Sequence, residues 1–264
     1  MKSRLIYTAI FGDYDNVISI NHKISTGGKE CDYICFSDRH LDVQPPWMLN
    51  VISNDDKTPA ELNRQLKFLG NSIVNTYQEV VYIDGNIELV VDPFDYIGEL
   101  SEQRPLVMLE HSKRSDVTSE IVECVITNKI SVYAAIALII RQARNGYRFK
   151  GLLTENRMIA RYVPSLRVNH LFEMVYKEYM IGPKRDQLHL QYILDKAQVP
   201  VALISKLQQA EIFNVIPHRG QDYSVGRLKR ALKRVSGYYP LTLLFKIIAT
   251  IAATIPVKGA SHKI

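Results

Sequence analysis

The chain has 264 residues, of which 47% are hydrophobic, and a formal net charge of +6. That length supplies one α/β domain with a substantial core and an appendage, and excludes two catalytic domains joined by linkers. The charge is uneven: residues 218–264 hold nine Lys/Arg against one acid, Asp222, whereas the other 217 residues hold 24 basic and 26 acidic side chains. A nucleic-acid reader more often carries its basic face on the folded body, so nucleic acid is not expected as a partner.

Met1-Lys2-Ser3-Arg4 leads straight into a strand with no apolar stretch of a signal peptide, which predicts a cytosolic protein. Strands are expected at 4–10, 32–37, 47–52, 79–84 and 105–110, each rich in Ile, Val, Leu and Tyr between polar, Gly or Pro residues. Thr58-Pro59-Ala60-Glu61 reads as a capping box with proline at the first helical position. It opens a helix whose Leu62, Leu66, Leu69 and Ile73 share a face. Arg64 and Lys67 leave from a neighbouring face, where they are either solvated or able to reach a phosphate.

Strands alternating with helices imply an α/β fold with a mostly parallel sheet flanked by helices, whose ligands lie beyond the carboxyl ends of the strands. Gly12-Asp13, Asp38-Arg39, Asp84-Gly85-Asn86 and Glu110-His111 all fall at such ends. After residue 115 the pattern turns mainly helical. Val132, Ile136, Ile139 and Ile140 mark a buried helix ending near Gly146, too short and too well flanked by charge to span a membrane. Residues 184–196 read as another helix with Asp186 in its first turn. Cys31, Cys35 and Cys124 show no disulfide pattern, and with no second Cys/His pair beside Cys31 and Cys35 they are expected to be buried thiols rather than zinc ligands.

The tail, 223–264, is set apart from a catalytic body at 1–222. Val225, Leu228, Leu232 and Val235 share one side of a helical segment, and Arg227, Lys229, Arg230, Lys233 and Arg234 occupy much of the rest. Tyr238-Tyr239 then leads to a 16-residue apolar run, Leu241 to Pro256, interrupted by Lys246 and three threonines. This is the composition of a monotopic anchor on an anionic membrane surface. The alternative is an amphipathic pair that packs on the body or makes a homodimer. A body cut after about residue 222 is expected to stay folded.

The most informative stretch is Val80-Val81-Tyr82-Ile83-Asp84-Gly85-Asn86, an apolar strand that stops on an acid, a glycine and a second oxygen ligand. Asp84 and Asn86, two apart around a glycine that lets the backbone turn, can aim oxygens at one divalent cation; Asp-Gly-Asn is also a common turn. Its companions, in order, are Ile6-Tyr7-Thr8-Ala9-Ile10-Phe11-Gly12-Asp13, Asp32-Tyr33-Ile34-Cys35-Phe36-Ser37-Asp38-Arg39, His111 with Arg114 and Asp116, Gly151-Leu152-Leu153-Thr154-Glu155-Asn156, and Arg185-Asp186-Gln187.

In this order and at these separations the motifs resemble a glycosyltransferase-like family long catalogued only as a domain of unknown function. Its members sit in bacterial polysaccharide clusters and among plant Golgi hexosyltransferases. The resemblance covers about residues 4 to 218. It departs from the family in having Asn86 at the second metal-binding carboxylate, and only Tyr176 or Tyr179 for an aromatic before Arg185.

The resemblance implies a GT-A-like fold and a metal-dependent transfer from a nucleotide sugar to a saccharide acceptor, possibly lipid-linked. The loop Thr8, Ala9, Phe11, Gly12 and Asp38 would take the base or ribose, and Arg64, Lys67, Gly85, His111 and Arg114 the diphosphate or sugar. Asp84, Asn86 and His218 would hold Mn²⁺ or Mg²⁺. Glu155 and Asp186 would stand near the acceptor hydroxyl, one of them as general base. The residues alone leave other roles open: His218 as an ordinary surface or core histidine, Asp116 as a helix cap, and Glu155 and Asp186 as ion-pair partners of Arg157 and Arg185.

Overall fold

A computed structural model describes residues 2–13, 31–53, 56–151, 153–217 and 227–255. The chain divides into two compact units that interleave in sequence. The first comprises Met1–Ser112, Thr154–Lys177 and Ala197–Gln221; the second comprises Lys113–Leu153, Glu178–Lys196 and Asp222–Ile264. The expected boundary at 222/223 falls beside the cut between Gln221 and Asp222, while the second unit also takes in Lys113–Leu153 and Glu178–Lys196.

The first unit is built on strands β1 (Lys2–Ile10), β2 (Cys31–Ser37), β3 (Trp47–Val51), β4 (Tyr77–Ile83), β6 (Leu106–Glu110), β7 (Thr154–Tyr162) and β8 (Val201–Ile204), in the order β3-β2-β1-β4-β7-β6-β8. The neighbours are parallel except at β7, which runs antiparallel to both β4 and β6. The mostly parallel α/β sheet is therefore present, with one reversed strand near its centre. A short ladder, β5 (Ile87–Leu89) against β9 (Phe213–Val215), stands apart from it.

Both faces of the sheet are covered, as the near-continuous apolar strands require. Leu5, Tyr7, Val80 and Tyr82 pack with Leu62 and Leu66 of α1 (Pro59–Leu69). Ile6, Val81, Ile83 and Val107 pack with Phe94 and Ile97 of α2 (Phe94–Ile97), Leu89 and Phe213. Odd and even positions of β1 thus enter different cores, as the period of two demands.

Helix α1 starts at the expected capping box, in which Thr58 accepts from Glu61 N and the Glu61 side chain returns to Thr58 N. It stops at Leu69, so Ile73 is not on it. Gly70 has φ of +68°, and a Cβ there would meet the Arg161 guanidinium at 2.8 Å. The last carbonyls of α1 are satisfied from the sheet: the Tyr7 hydroxyl donates to Leu66 O at 3.2 Å, and Arg161 of β7 donates to Phe68 O. A cation beside a helix C-terminus also opposes the negative end of the helix dipole.

Strand β7 was not expected from the pattern. Glu155, Arg157 and Arg161 alternate with Met158 and Ala160 at the strand period of two, but charge at these positions does not suit a central strand. Arg161 is nonetheless buried, over the ring of Phe172 at 5.5 Å.

In the second unit, α3 (Val117–Ile126) is capped by Asp116, which accepts from Ser119 N at 2.9 Å, and α4 (Val132–Arg144) by Ser131, which accepts from Ala134 N at 3.1 Å. The helix ending near Gly146 is therefore present. Helix α5 (Leu166–Ile181) runs across both stretches, and α6 (Gln187–Ala197) begins one residue after Asp186 rather than before it. Cys31, Cys35 and Cys124 are free, and burial first of all pushes each thiol up to about 12.

The last helix, α8 (Arg227–Thr254), packs against α3 and α4 and buries Phe245 and Ala252. The apolar tail segment is therefore part of a helical unit, and cutting the chain near 222 would open the faces of α3 and α4. Among the described residues no helix is long and apolar enough to cross a membrane.

Phe245→Ala is expected to cost about 3–5 kcal/mol, the cavity value for a buried phenylalanine, whereas exposed Ile247→Ala should stay within about 0.5 kcal/mol. Urea denaturation followed by circular dichroism checks the contrast, and equal losses would contradict the packing of α8.

His189 of α6 makes a second prediction. Its Nε2 donates to Pro183 O at 2.8 Å, and Glu178, held by Arg141 at 2.8 Å, lies 3.9 Å from Nδ1. Burial lowers its pKa from 6.5 to about 4. The Pro183 bond and Asp186 oppose this, and the Arg141 and Lys184 charges assist it. The folded state is thus the weaker proton binder, so stability should be lost as pH falls from about 6.5 towards about 4. Denaturation midpoints at neutral and acid pH, compared with His189→Gln, measure it; an equal acid loss in both proteins would assign the effect elsewhere.

Candidate functional site

Strands β1, β2, β4 and β6 deliver their carboxyl ends to one edge of the sheet. Because β7 is reversed, its first residues arrive there too: Thr154 pairs with Glu110 and Glu155 with Leu109. A register shift between Met108 and Leu109 marks a bulge in this pairing, a feature that re-aims side chains at sheet ends.

Asp84 follows β4 directly, and its N–H donates to Arg157 O of β7 at 2.8 Å. Its carboxylate meets Lys67 Nζ at 2.9 Å. The Lys67 side chain is 1% exposed and that of Asp84 is 32% exposed, so the cation is enclosed while the acid keeps an open side. The ammonium also lies 5.0 Å from the centre of the Tyr82 ring. Burial, and then the Asp84 charge, raises the Tyr82 phenol well above its usual range, so it stays protonated and donates to Asn63 Oδ1 at 3.4 Å.

The turn after Asp84 is closed by Ile87 N donating to Asp84 O at 3.0 Å. Asn86 is tied to the end of the β5–β9 ladder: its Nδ2 donates to Ile216 O at 3.0 Å, and Ile216 N donates to Asn86 O at 2.9 Å. His218 lies outside the described residues, two positions beyond this anchor.

At the end of β1, Gly12 takes φ of +61° and donates its N–H to both carboxylate oxygens of Asp38, at 3.2 and 3.0 Å. Asp38 thereby fixes the loop. The side chains of Thr8, Ala9 and Phe11 are buried, so what this loop presents at its surface is its backbone and the Gly12–Asp38 pair. Asn63, next to Arg64 on α1, bridges the elements: its Nδ2 donates to Ala9 O at 2.8 Å, and its Oδ1 accepts from Arg64.

Glu155 forms an ion pair with Arg157, and its Oε2 accepts from Ser112 N at 3.4 Å, beside the buried His111. The first unit thus contains Thr8, Ala9, Phe11, Gly12, Asp38, Arg64, Lys67, Asp84, Gly85, Asn86, His111 and Glu155. Arg114 and Asp186 belong to the second unit. There Arg114 pairs with Glu120 and approaches Glu123 at 4.0 Å, and Asp116 caps α3. Asp186 is buried at the start of α6, where its carbonyl accepts from Leu190 N at 3.1 Å.

Two contributors were not picked out as site residues. Asn63 shows nothing in sequence beyond a polar residue on a helix face, and Arg157 acquires its place through the antiparallel register of β7. The chain matches no family model and no curated protein.

Asp84→Ala would remove the carboxylate 2.9 Å from an enclosed ammonium and is expected to lower stability by about 1–3 kcal/mol, below the value for a fully buried pair because Asp84 is partly solvated. Lys67→Met keeps the stem, removes the charge and should cost less. Chemical denaturation of both variants tests the order, and an unaltered Asp84→Ala midpoint would contradict it.

Proposed function

We propose that the protein is a metal-dependent glycosyltransferase of GT-A-like fold that moves a sugar from a nucleotide-sugar donor to a growing cell-surface polysaccharide or lipid-linked oligosaccharide. The observation that carries this reading is the open carboxylate of Asp84 beside the enclosed ammonium of Lys67, at the edge where α/β sheets take their ligands. An acid next to a cation suits a metal-bound diphosphate: the carboxylate takes the metal on its open side, and the enclosed ammonium adds positive charge to the site without contacting phosphate. The order of the strand-end motifs along the chain supports the same reading.

Mn²⁺ or Mg²⁺ would be held by Asp84 and Asn86 with His218. Among the described residues no group of three His, Cys, Asp or Glu could hold a metal. A two-oxygen site completed by substrate phosphates and water is the form that fits, and Mg²⁺ commonly binds in this way. When bound, the metal offsets charge developing on the departing diphosphate.

The chain's own residues supply the rest. Gly12 and Asp38 shape the loop for the nucleoside, and Lys67 adds positive charge to the site from behind Asp84. Glu155 is the first unit's candidate for the acceptor hydroxyl. With a lipid-linked acceptor the enzyme works in the cytoplasm, peripherally on the inner face of the cell membrane.

A second reading, a non-catalytic nucleotide-sugar or polysaccharide-binding protein, is favoured by one observation: Asp84 and Glu155 both already hold a basic partner, Lys67 and Arg157. Incubation with a panel of nucleotide sugars separates the two, since an enzyme hydrolyses its donor slowly without acceptor and a binding protein leaves it intact.

Calorimetry should show a uridine or similar nucleoside diphosphate binding at least about tenfold weaker in chelator, a difference of about 1.4 kcal/mol. Asp84→Asn, which keeps the shape and an oxygen, should abolish transfer. Equal affinity with and without metal, or full activity in Asp84→Asn, would overturn the metal-bridge assignment.

A further inference from the structure

The geometry points to α8 as an in-plane membrane-docking helix that inserts its outer face into an anionic lipid surface while its inner face stays packed on α3 and α4. Tyr239, Leu243, Ile247, Ile251 and Ile255 recur every fourth residue and are all exposed, with Leu244 beside them. Phe245 and Ala252, on the opposite side, are buried. A helix that is apolar on both sides and buried on one leaves its other side in need of an apolar partner.

Three observations identify that partner as lipid. The first is charge. From Tyr223 to the end the chain has eight Lys/Arg and no acid, and five of the eight lie in the first two turns and a little beyond of α8 itself, at Arg227, Lys229, Arg230, Lys233 and Arg234. Each such residue near an anionic leaflet adds attraction, and Tyr238-Tyr239 sits where the basic part gives way to the apolar part, as interfacial tyrosines do.

The second is the state of the hydroxyls. Thr242 donates to Tyr238 O at 2.7 Å, Thr250 to Lys246 O at 2.9 Å and Thr254 to Ile251 O at 2.8 Å. All three threonines of the apolar run are thus satisfied within the helix and can leave water at low cost.

The third is the shape of the stripe. A spacing of four at about 100° per residue drifts steadily, so the stripe from Tyr239 to Ile255 fans over about 160° of the helix. A second helix needs a narrow seam repeating every 3.5 residues, whereas a lipid surface accepts a broad face. The helix is not apolar enough to cross, so it lies in the surface. This inference stands on α8 alone and holds whether or not the protein transfers sugar.

The test is co-sedimentation of the full-length protein with vesicles of phosphatidylcholine alone and of phosphatidylcholine with phosphatidylglycerol. Wild type should pellet with the mixed vesicles and at least tenfold less with neutral ones. The double variant Ile247→Ser/Ile251→Ser should bind the mixed vesicles at least tenfold more weakly with an unchanged circular dichroism melt, because both positions face outward. Salt should weaken wild-type binding only in part, since screening acts on the basic residues and not on the aliphatic ones. As an independent variant, Leu243→Ser should weaken vesicle binding without altering the melt. Vesicle binding unchanged in these variants would overturn the proposal. So would an equilibrium-sedimentation dimer that the double variant converts to monomer, since the face would then belong to a second copy.

Discussion

An ammonium group enclosed by protein is tolerated only beside an anion, and in this molecule that requirement joins α1 to the end of β4. Lys67 reaches Asp84 because α1 is held at both ends: by its capping box at the start, and at the finish by Tyr7 and Arg161, which take up its last carbonyls. Loss of either support would let the last turn of α1 shift and draw the ammonium away from Asp84. Asp84 is fixed in turn by its N–H bond to Arg157. The result is a carboxylate oriented by the fold and open on one side, an arrangement with little to reorganise when a cation or phosphate arrives.

The reversed strand β7 has the widest consequences for chemistry. Had it run parallel to its neighbours, Glu155 would lie at the amino edge of the sheet, remote from Asp84, and Arg161 would lie at the carboxyl edge. Antiparallel pairing places Glu155 and Arg157 among the strand ends and leaves Arg161 to cap α1 and cover Phe172. One strand direction thus distributes three charged side chains between the carboxyl edge of the sheet and the support of α1. The β5–β9 ladder performs a similar service, returning the chain to Asn86 from more than a hundred residues away.

In the second unit the same economy appears in α8. Its inner side completes the packing of α3 and α4, and its outer side carries the stripe from Tyr239 to Ile255. The two faces differ in what they need: the inner is already dry, and the outer is apolar in water.

Much of this was legible from residue order because it depends on local chemistry. The strands ending at Gly12, Asp38, Asp84 and His111, the capping box at Thr58, the cap at Asp116 and the apolar helix after Ser131 each follow from short-range patterns of burial and hydrogen bonding. The candidate site at Asp84 was visible for the same reason: a glycine and two oxygen ligands after an apolar run are neighbours in sequence. Tertiary structure alone decided the pairings that join distant residues. Lys67 carried no sign that its partner would be Asp84 rather than solvent, Glu155 none that its pairing with Arg157 would stand at the end of a central strand, and Phe245 none that it would be buried while Ile247 was left exposed. Side-chain spacing records which residues share a face. Which face meets which, and therefore which charges are enclosed and which stay open, is set only when the elements pack.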